Sequence, residues 1–298
     1  MNRYSLLKKI RHLIEGAFVG MAFVLFHYIL PFKICVTFLA WLSRKVGPRL
    51  RLSNRARSSL KKCFPGISEI EIQRIIAEMW DNFGRLMGEY VKAHVFWNGK
   101  TLHNIEIVGI ENLKRFQEDG KPGIIFTAHL GNWQMITLAA QSIGFDLAQM
   151  YRPPNNPWVD ALMLKCQKFT VKNVITKGNG GPKEFLSLIK GGGHALLLVD
   201  QKMGEGISVP FLGREAMTAT GIAKMYLNQN CPLLPARSER LHGSHFRVTF
   251  YPPIEFVPQG DQKKDMYGLL LHINSILSDW VKERPGQWLW LHRRWRDS

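Results

Sequence analysis

Short apolar runs alternate with longer amphipathic patterns from residue 123 almost to the C-terminus, and this alternation constrains the fold most. The apolar runs have the length of buried strands, and the amphipathic patterns repeat at helical spacing. Such alternation predicts an α/β fold with a mostly parallel or mixed central sheet flanked by helices. The predicted strands are 123–128, 145–151, 171–176, 194–199, 233–238 and 246–251. The predicted helices are 69–95, 135–143, 156–169, 182–190, 217–229 and 266–280.

The first 66 residues differ from the rest, because they combine long apolar runs with many basic residues. They hold thirteen Lys or Arg residues and a single acidic residue, Glu15. The run 13–30 is long enough for a short transmembrane helix, and a second apolar run, 32–42, follows a predicted bend at Pro31. We therefore predict an N-terminal membrane-anchoring helix, with 1–66 as an anchor and 67–298 as a second domain. A signal peptide, a monotopic or re-entrant anchor and an ordinary buried helix pair are the alternatives.

The chain is strongly basic, with a net charge of +17. Such a charge suits a nucleic acid, an anionic membrane surface or an acidic carrier protein. Because the N-terminal basic residues are interleaved with apolar runs, we expect an anionic membrane and no nucleic acid. A basic and aromatic tail is predicted to lie at the same headgroup layer, with a segment packed on the core as the alternative. Its members are Trp288, Trp290, Trp295, Arg293, Arg294 and Arg296.

His129 lies between a predicted buried strand and a predicted helix. The carboxyl edge of a central strand is a favoured place for ligands and chemistry in α/β proteins. A neutral imidazole can accept the proton of a hydroxyl nucleophile, so His129 is the candidate general base. It needs a partner that fixes its tautomer and stabilises the imidazolium, and a carboxylate does both. Gly131 permits close backbone approach, and the amides that open the following helix can hold an anion or a carbonyl oxygen.

Five ordered blocks of sequence resemble the bacterial lipid A late acyltransferases, which are the lauroyl and myristoyl transferases of the lysophospholipid acyltransferase superfamily. The hallmark of that family is a histidine followed, after four residues, by Asp or Glu. Its first five positions match His129-Leu130-Gly131-Asn132-Trp133. The other matching blocks are 81–85 with 89–90, 151–153 with 156–157, 200–202 with 209–213 and 218–221, and 287–290 with 292–295. The resemblance covers nearly the whole chain and implies a glycerol-3-phosphate acyltransferase-like sheet.

The resemblance also implies an activity. A fatty acyl chain would move from an acyl carrier protein thioester to a hydroxyl of a lipid A precursor, at the cytoplasmic face of the bacterial inner membrane and without a metal or bound cofactor. Four positions are candidates for catalysis: His129, Gln134, Arg152 and Asp200. We expect Arg152 to bind phosphate or support the oxyanion, and Asp200 to orient Arg152 or His129. Substrate-binding roles are expected for Asn82, Arg85, Gly131, Asn132, Trp133 and Gln201.

The chain departs from the family motif at Gln134, where the family has an acid. An amide can accept a hydrogen bond from the imidazole but carries no negative charge, and the related Asp-to-Asn change in a serine protease triad costs about ten-thousand-fold in turnover. We therefore expect an impaired enzyme. The change is explained by an engineered replacement of a native glutamate, by natural degeneration, or by an active enzyme that takes its acid from elsewhere. The intact remainder of the motif favours the first.

Two other functions are compatible with these residues. The acceptor could be another glycolipid, such as a phosphatidylinositol mannoside or an ornithine lipid. Alternatively, the chain could be a non-catalytic lipid-binding scaffold of the same fold, for which Gln134 is the evidence. The retained His129 argues against a scaffold, because a site under no catalytic demand has little reason to keep a histidine at a sheet edge.

Overall fold

Ten α-helices and nine strands make up the described chain, which in this computed structural model comprises residues 3–97, 99, 102–176, 178 and 180–295. The helices are α1 Arg3–Val24, α2 Phe32–Val46, α3 Arg51–Cys63, α4 Glu69–Val91, α5 Ile110–Glu118, α6 Gln134–Gln141, α7 Pro157–Gln167, α8 Gly181–Lys190, α9 Gly221–Gln229 and α10 Gln262–Glu283. The strands are β1 Ile105–Val108, β2 Gly123–Thr127, β3 Ala148–Tyr151, β4 Asn173–Thr176, β5 His194–Leu198, β6 Ile207–Phe211, β7 Arg214–Thr218, β8 Leu233–His242 and β9 His245–Phe250.

Seven of these strands form one central sheet in the order β1-β9-β8-β2-β5-β3-β4. Strands β8 and β9 are antiparallel, and the other neighbours are parallel. All five residues of β2 are buried, because apolar clusters pack on both faces of the sheet. A parallel strand covered on both faces reads as a continuous apolar run, which is why the sequence pattern identified it. The predicted fold class is confirmed.

The structure differs from the prediction around residue 217, where we expected a helix to begin. Residues 214–218 form β7, which pairs with β6 in an antiparallel hairpin, and α9 begins at Gly221. The two turn residues, Leu212 and Gly213, have φ values of 50° and 73°. Positive φ at both central residues produces a turn whose twist matches that of the two strands. Strand β1 and helix α5 were also not predicted, and the helix predicted for 69–95 ends at Val91.

The C-terminal tail is buried, which corrects its predicted place at a headgroup layer. Three tryptophans, Trp288, Trp290 and Trp295, are each 1% exposed and pack in the core. The Arg294 side chain is fully buried and donates to the Met217 carbonyl and to the Thr218 hydroxyl, at 2.8 and 2.9 Å. These three tryptophans and Arg294 therefore belong to a segment that packs on the core, which was the alternative prediction for the tail. Arg293 is exposed, and Arg296 lies outside the described residues.

The N-terminal helices follow the predicted pattern of two apolar segments with a break between them. A π-helical turn, Leu25–Ile29, continues α1. Together they contain, among the described residues, one segment that is long and apolar enough to cross a bilayer, Leu7–Ile29, and it is mostly exposed. The helix breaks before Pro31, and α2 then packs along α4. Close approach of α2 and α4 depends on Gly84 and Gly88, whose α-carbons face the α2 backbone. The division of the chain near residue 66 stays a prediction.

Replacing Gly84 should destabilise the protein. A Cβ at Gly84 would lie 2.3 Å from the Leu39 carbonyl oxygen and 2.7 Å from Cα of Ala40, so α2 and α4 must separate. We expect Gly84→Ala to lower the free energy of unfolding by about 1–3 kcal/mol, measured by thermal unfolding in detergent. Gly20→Ala is the matched control, because a Cβ there meets nothing within 4 Å. Equal stability of the two variants would contradict this account of the helix contact.

Candidate active site

Strand register brings His129 and Asp200 together at the carboxyl edge of the sheet. Strands β2 and β5 are parallel neighbours, and Thr127 lies opposite Leu198 at their ends. Two residues further along each chain, His129 therefore faces Asp200. The sequence predicted that both residues lie at strand ends, and the strand order explains why those ends are adjacent.

Asp200 is fully buried and accepts three hydrogen bonds. Its Oδ1 lies 2.7 Å from Nδ1 of His129, and its Oδ2 accepts from the His129 backbone N–H at 2.9 Å and from Nε1 of Trp288 at 2.8 Å. Burial alone would raise the pKa of Asp200, but the imidazole and backbone N–H of His129 outweigh it and hold that pKa below its usual value. Asp200 is therefore an ionised carboxylate at neutral pH.

The ionised carboxylate fixes the tautomer of His129. An ionised carboxylate can accept but not donate, so Nδ1 of His129 carries the hydrogen in this pair. The lone pair of the neutral ring is then on Nε2, which lies 3.2 Å from Nε2 of Gln201. Aromatic rings flank the imidazole, with centroids 4.8 Å away for Trp133 and 4.7 Å away for His292. This is the arrangement that a general base requires.

A cavity of about 630 Å³ adjoins His129. Most of its lining is apolar and comes from α4, α7, β3 and β5: Phe83, Leu86, Met87, Met150, Met163, Leu196, Leu197 and Leu198. Polar and aromatic groups also line the cavity, among them the three that contact His129, Trp133, Gln201 and His292, together with Gln134 and Arg152. A volume of this size, with apolar walls and a few polar groups, is typical of a small-molecule site.

A second set of polar residues lines the cavity, and the sequence did not predict it. Nε2 of Gln167 donates to Oε1 of Gln149 at 2.8 Å, and both side chains are buried. The Tyr90 hydroxyl lies 2.8 Å from the Met163 carbonyl, to which it donates. Gln149 lies opposite Leu196 in the sheet, about 13 Å back along the strands from the level of His129. These amides therefore line the cavity far from the candidate base.

Comparison with known proteins identifies the family of this chain. The family model described as bacterial lipid A biosynthesis acyltransferase matches residues 4–297, which is nearly the whole chain. The chain belongs to this family. The resemblance that the sequence motifs predicted is thereby confirmed.

Relatives with assigned names are distant but cover most of the chain. A lipid A biosynthesis acyltransferase of Haemophilus influenzae is 22% identical over 281 residues, which cover 93% of this chain and 86% of the relative. A lipid A biosynthesis palmitoleoyltransferase of Escherichia coli is 24% identical over 278 residues, covering 90% of this chain and 86% of the relative. A lauroyltransferase of Escherichia coli is also 24% identical, over 247 residues that cover 80% and 77%.

In this acyltransferase, Gln134 does not bond to the His129 ring as the motif spacing led us to expect. The ring nitrogen that needs an acceptor, Nδ1, is bonded to Asp200 instead. Gln134 lines the same cavity and is 3% exposed, and its Oε1 has no hydrogen-bond partner among the described residues. The acid that contacts the His129 ring is therefore Asp200, which follows the neighbouring strand β5, and not the residue at position 134.

Asn82 and Arg85 do not line the cavity next to His129, and their substrate-binding roles stay predictions. They border a separate cavity of about 760 Å³ on the other flank of α4. Arg85 is paired with Asp81 at 2.6 Å. Nδ2 of Asn82 donates to the carbonyls of Gly131 and Gln287, at 3.2 and 3.3 Å. Asn82 thus supports the loop that carries His129, from outside the candidate site.

Gly131 and Asn132 also act on the shape of this loop. Gly131 has a φ of 58°, and a Cβ there would lie 2.4 Å from the Ser238 carbonyl oxygen, so glycine is required. Nδ2 of Asn132 donates to Glu89 at 2.9 Å, and both residues are fully buried. Glu89 forms a buried ion pair with Arg240, whose Nη2 lies 2.8 Å from Oε2 of Glu89. Arg240 lies outside the matching sequence blocks, so only the structure revealed this pair.

Removing the charge of Glu89 should destabilise the protein, because Arg240 would lose its buried partner. Breaking a buried ion pair from one side typically costs about 3–5 kcal/mol, because the other charge stays buried and uncompensated. We expect Glu89→Gln to lower the free energy of unfolding by an amount of that order, measured by denaturation in detergent. Glu106→Gln is the control, because its pair with Arg247 is exposed and should change stability by about 0.5 kcal/mol or less. Similar losses in both variants would contradict the assigned role of Glu89.

Proposed function

We propose that this protein moves a fatty acyl chain from an acyl carrier protein thioester to a hydroxyl of a lipid A precursor, with His129 as the general base. Membership of the family establishes an acyltransferase of lipid A biosynthesis. The observation that carries the proposed mechanism is the 2.7 Å bond between the buried Asp200 carboxylate and Nδ1 of His129, beside an apolar cavity. The apolar walls suit a fatty acyl chain, because each buried methylene contributes about 0.8 kcal/mol to binding.

The proposed step is a direct transfer through a tetrahedral intermediate. The acceptor is the 3-hydroxyl of an acyl chain already on the glucosamine disaccharide. Its proton passes to Nε2 of His129, and its oxygen bonds to the thioester carbonyl carbon. The ionised Asp200 stabilises the imidazolium that forms. When the intermediate collapses, the C–S bond breaks, the thiolate accepts the proton from His129, and an acyloxyacyl ester remains. A thioester is already activated, so this step uses no metal or bound cofactor.

Three further side chains of the cavity are proposed to contact substrate. Arg152 is exposed within it and presents a guanidinium that suits a phosphate or an oxyanion. Trp133 packs its ring against that of His129, and Gln201 bonds to the free nitrogen of the same ring. The contacts with His129 support this role for Trp133 and Gln201, and the shared cavity supports it for Arg152.

The membrane and the donor are assigned from charge and from the N-terminal helix. We place α1 in the bacterial inner membrane, with the catalytic domain on the cytoplasmic face, where acyl carrier protein is found. Residues 1–66 would then be the anchor and 67–298 the acyltransferase domain. The net charge of +17 complements both an anionic membrane and an acidic carrier protein.

Among the three explanations for Gln134, we favour an active enzyme whose acid comes from elsewhere. Asp200 already supplies the charge and the tautomer control that the motif acid was expected to provide. The explanation by an engineered and inactivating replacement loses its physical basis, because an amide at position 134 leaves His129 paired. The same pairing argues against a non-catalytic scaffold.

Replacing Asp200 tests the proposed function together with its base. The purified protein is given labelled lauroyl or myristoyl carrier protein and a lipid A precursor, and product is followed over time. We expect transfer by the wild type and a loss of about ten-thousand-fold in kcat for Asp200→Asn, with the acceptor KM nearly unchanged. Asp146→Asn is the control, because Asp146 is exposed and pairs with Lys172. If the wild type acylated another glycolipid and not lipid A precursors, the proposed acceptor would be wrong. If Asp200→Asn kept full activity, the proposed role of Asp200 as the partner of His129 would be wrong.

Restoring an acid at position 134 tests the explanation given for Gln134. We expect Gln134→Glu to change kcat by less than about tenfold, because Asp200 already stabilises the imidazolium. The measurement is the same transfer assay, with Gln262→Glu, on the exposed face of α10, as the control. A gain of several orders of magnitude would show that the chain is the impaired form of the enzyme.

A further inference from the structure

The loop around His129 leaves few backbone donors for an oxyanion. We expected the amides that open α6 to serve, but six of the eight backbone N–H groups from 129 to 136 already have acceptors. The occupied N–H groups and their acceptors are His129 to Asp200, Leu130 to Ala128, Gly131 to Gln287, Gln134 to Oδ1 of Asn132, Met135 to the Asn132 carbonyl and Ile136 to Trp133. A side-chain donor next to His129 would therefore add to the binding of the negative oxygen of a tetrahedral intermediate.

The hydrogen-bond chain around His129 identifies such a donor. Since Nδ1 of His129 donates to Asp200, Nε2 of the neutral ring can only accept. Its neighbour at 3.2 Å is Nε2 of Gln201, which has two hydrogens to donate. The second points to Nε2 of His292, in a longer contact of 3.5 Å. One amide thus bridges the acceptor nitrogens of two imidazoles.

His292 is suited to accept this bond at neutral pH. Burial lowers the pKa of His292 to about 4, and the nearby His129 and Arg55 add to the effect, while Asp200 opposes it. A neutral His292 with its lone pair on Nε2 holds the amide nitrogen of Gln201 toward His129. The backbone of Gln201 is held separately, since the buried Arg294 contacts its carbonyl at 3.5 Å.

We propose that the side-chain amide of Gln201 donates to the oxyanion of the tetrahedral intermediate, and that His292 is the residue that positions it. This inference rests on the proposed function. In the resting enzyme the amide is bonded to the lone pair of His129. The acceptor hydroxyl must take that place, and once Nε2 of His129 holds the hydroxyl proton it can no longer accept from Gln201. The amide hydrogen is then available to the thioester oxygen, which becomes negative in the same step.

The arrangement favours the transition state over the ground state. The hydroxyl oxygen approaches Nε2 of His129 to about 3 Å, and the attacked carbonyl lies next to it. Gln201 is 3.2 Å from the same Nε2, so the carbonyl oxygen lies within its reach. The amide is released when the hydroxyl binds, and its bond to the carbonyl oxygen strengthens as that oxygen becomes negative. Such a bond adds binding in the transition state, which raises kcat and leaves KM nearly unchanged.

The kinetic test compares Gln201→Leu with the wild type in the transfer assay. We expect kcat to fall about 10²–10³-fold, as when one oxyanion donor is removed, with both KM values close to those of the wild type. His292→Leu should lower kcat less than Gln201→Leu does, because the Gln201 amide is still present and has only lost the residue that positions it. His292→Asn should recover part of the loss, since its Oδ1 can accept the same hydrogen. Gln262→Leu and His272→Leu are controls, because both residues are exposed on α10.

A binding test separates this role from a structural one. A phosphonate mimic of the tetrahedral intermediate carries the negative oxygen, whereas an amide analogue of the acyl donor does not. We expect Gln201→Leu to weaken phosphonate binding by the same factor as kcat/KM and to leave amide binding unchanged. Equal weakening of both, or of neither, would overturn the inference. Absence of transfer by the wild type would instead overturn the proposed function, and the binding comparison would still decide the role of Gln201.

Discussion

A buried carboxylate holds the candidate active site together. Asp200 receives hydrogen bonds from the backbone and ring of His129 and from the indole of Trp288, so three separate segments meet at one side chain. A charge removed from water must be fully hydrogen-bonded, and these donors satisfy that need. The same three bonds that make the carboxylate tolerable also orient the imidazole and place the C-terminal segment against the histidine loop.

A second buried acid supports the same loop from the opposite side. Glu89 on α4 bonds to Asn132 and pairs with Arg240 on β8, while Asn82 of the same helix bonds to Gly131. The loop is therefore fixed by side chains and not by regular backbone pairing alone. Asn132, which the sequence suggested as a substrate contact, is thus also one of the residues that hold the loop in shape.

Strands and helices with a clear hydrophobic pattern could be predicted from the sequence. Contacts between segments that are distant in the sequence could not. The apolar run before His129 and that before Asp200 both indicated strands, and both residues were placed at a sheet edge. Hydrophobic periodicity does not show which strands are neighbours in a sheet. The acid partner of His129 was therefore expected at position 134, from the spacing of the family motif. In the same way, the burial of Arg294 depends on the Met217 carbonyl and the Thr218 hydroxyl of a hairpin that gave no periodic signal.

Helix α4 has a consequence for how the protein meets its lipid substrate. One face of this helix packs on α2 through Gly84 and Gly88, another lines the cavity with Phe83 and Leu86, and Glu89 braces the histidine loop. If α1 spans the bilayer as proposed, helix α4 connects the membrane-anchoring segment to the loop of His129, so the position of the anchor in the membrane determines the position of His129. The membrane would then act as the reference plane that sets the height at which a hydroxyl can reach His129.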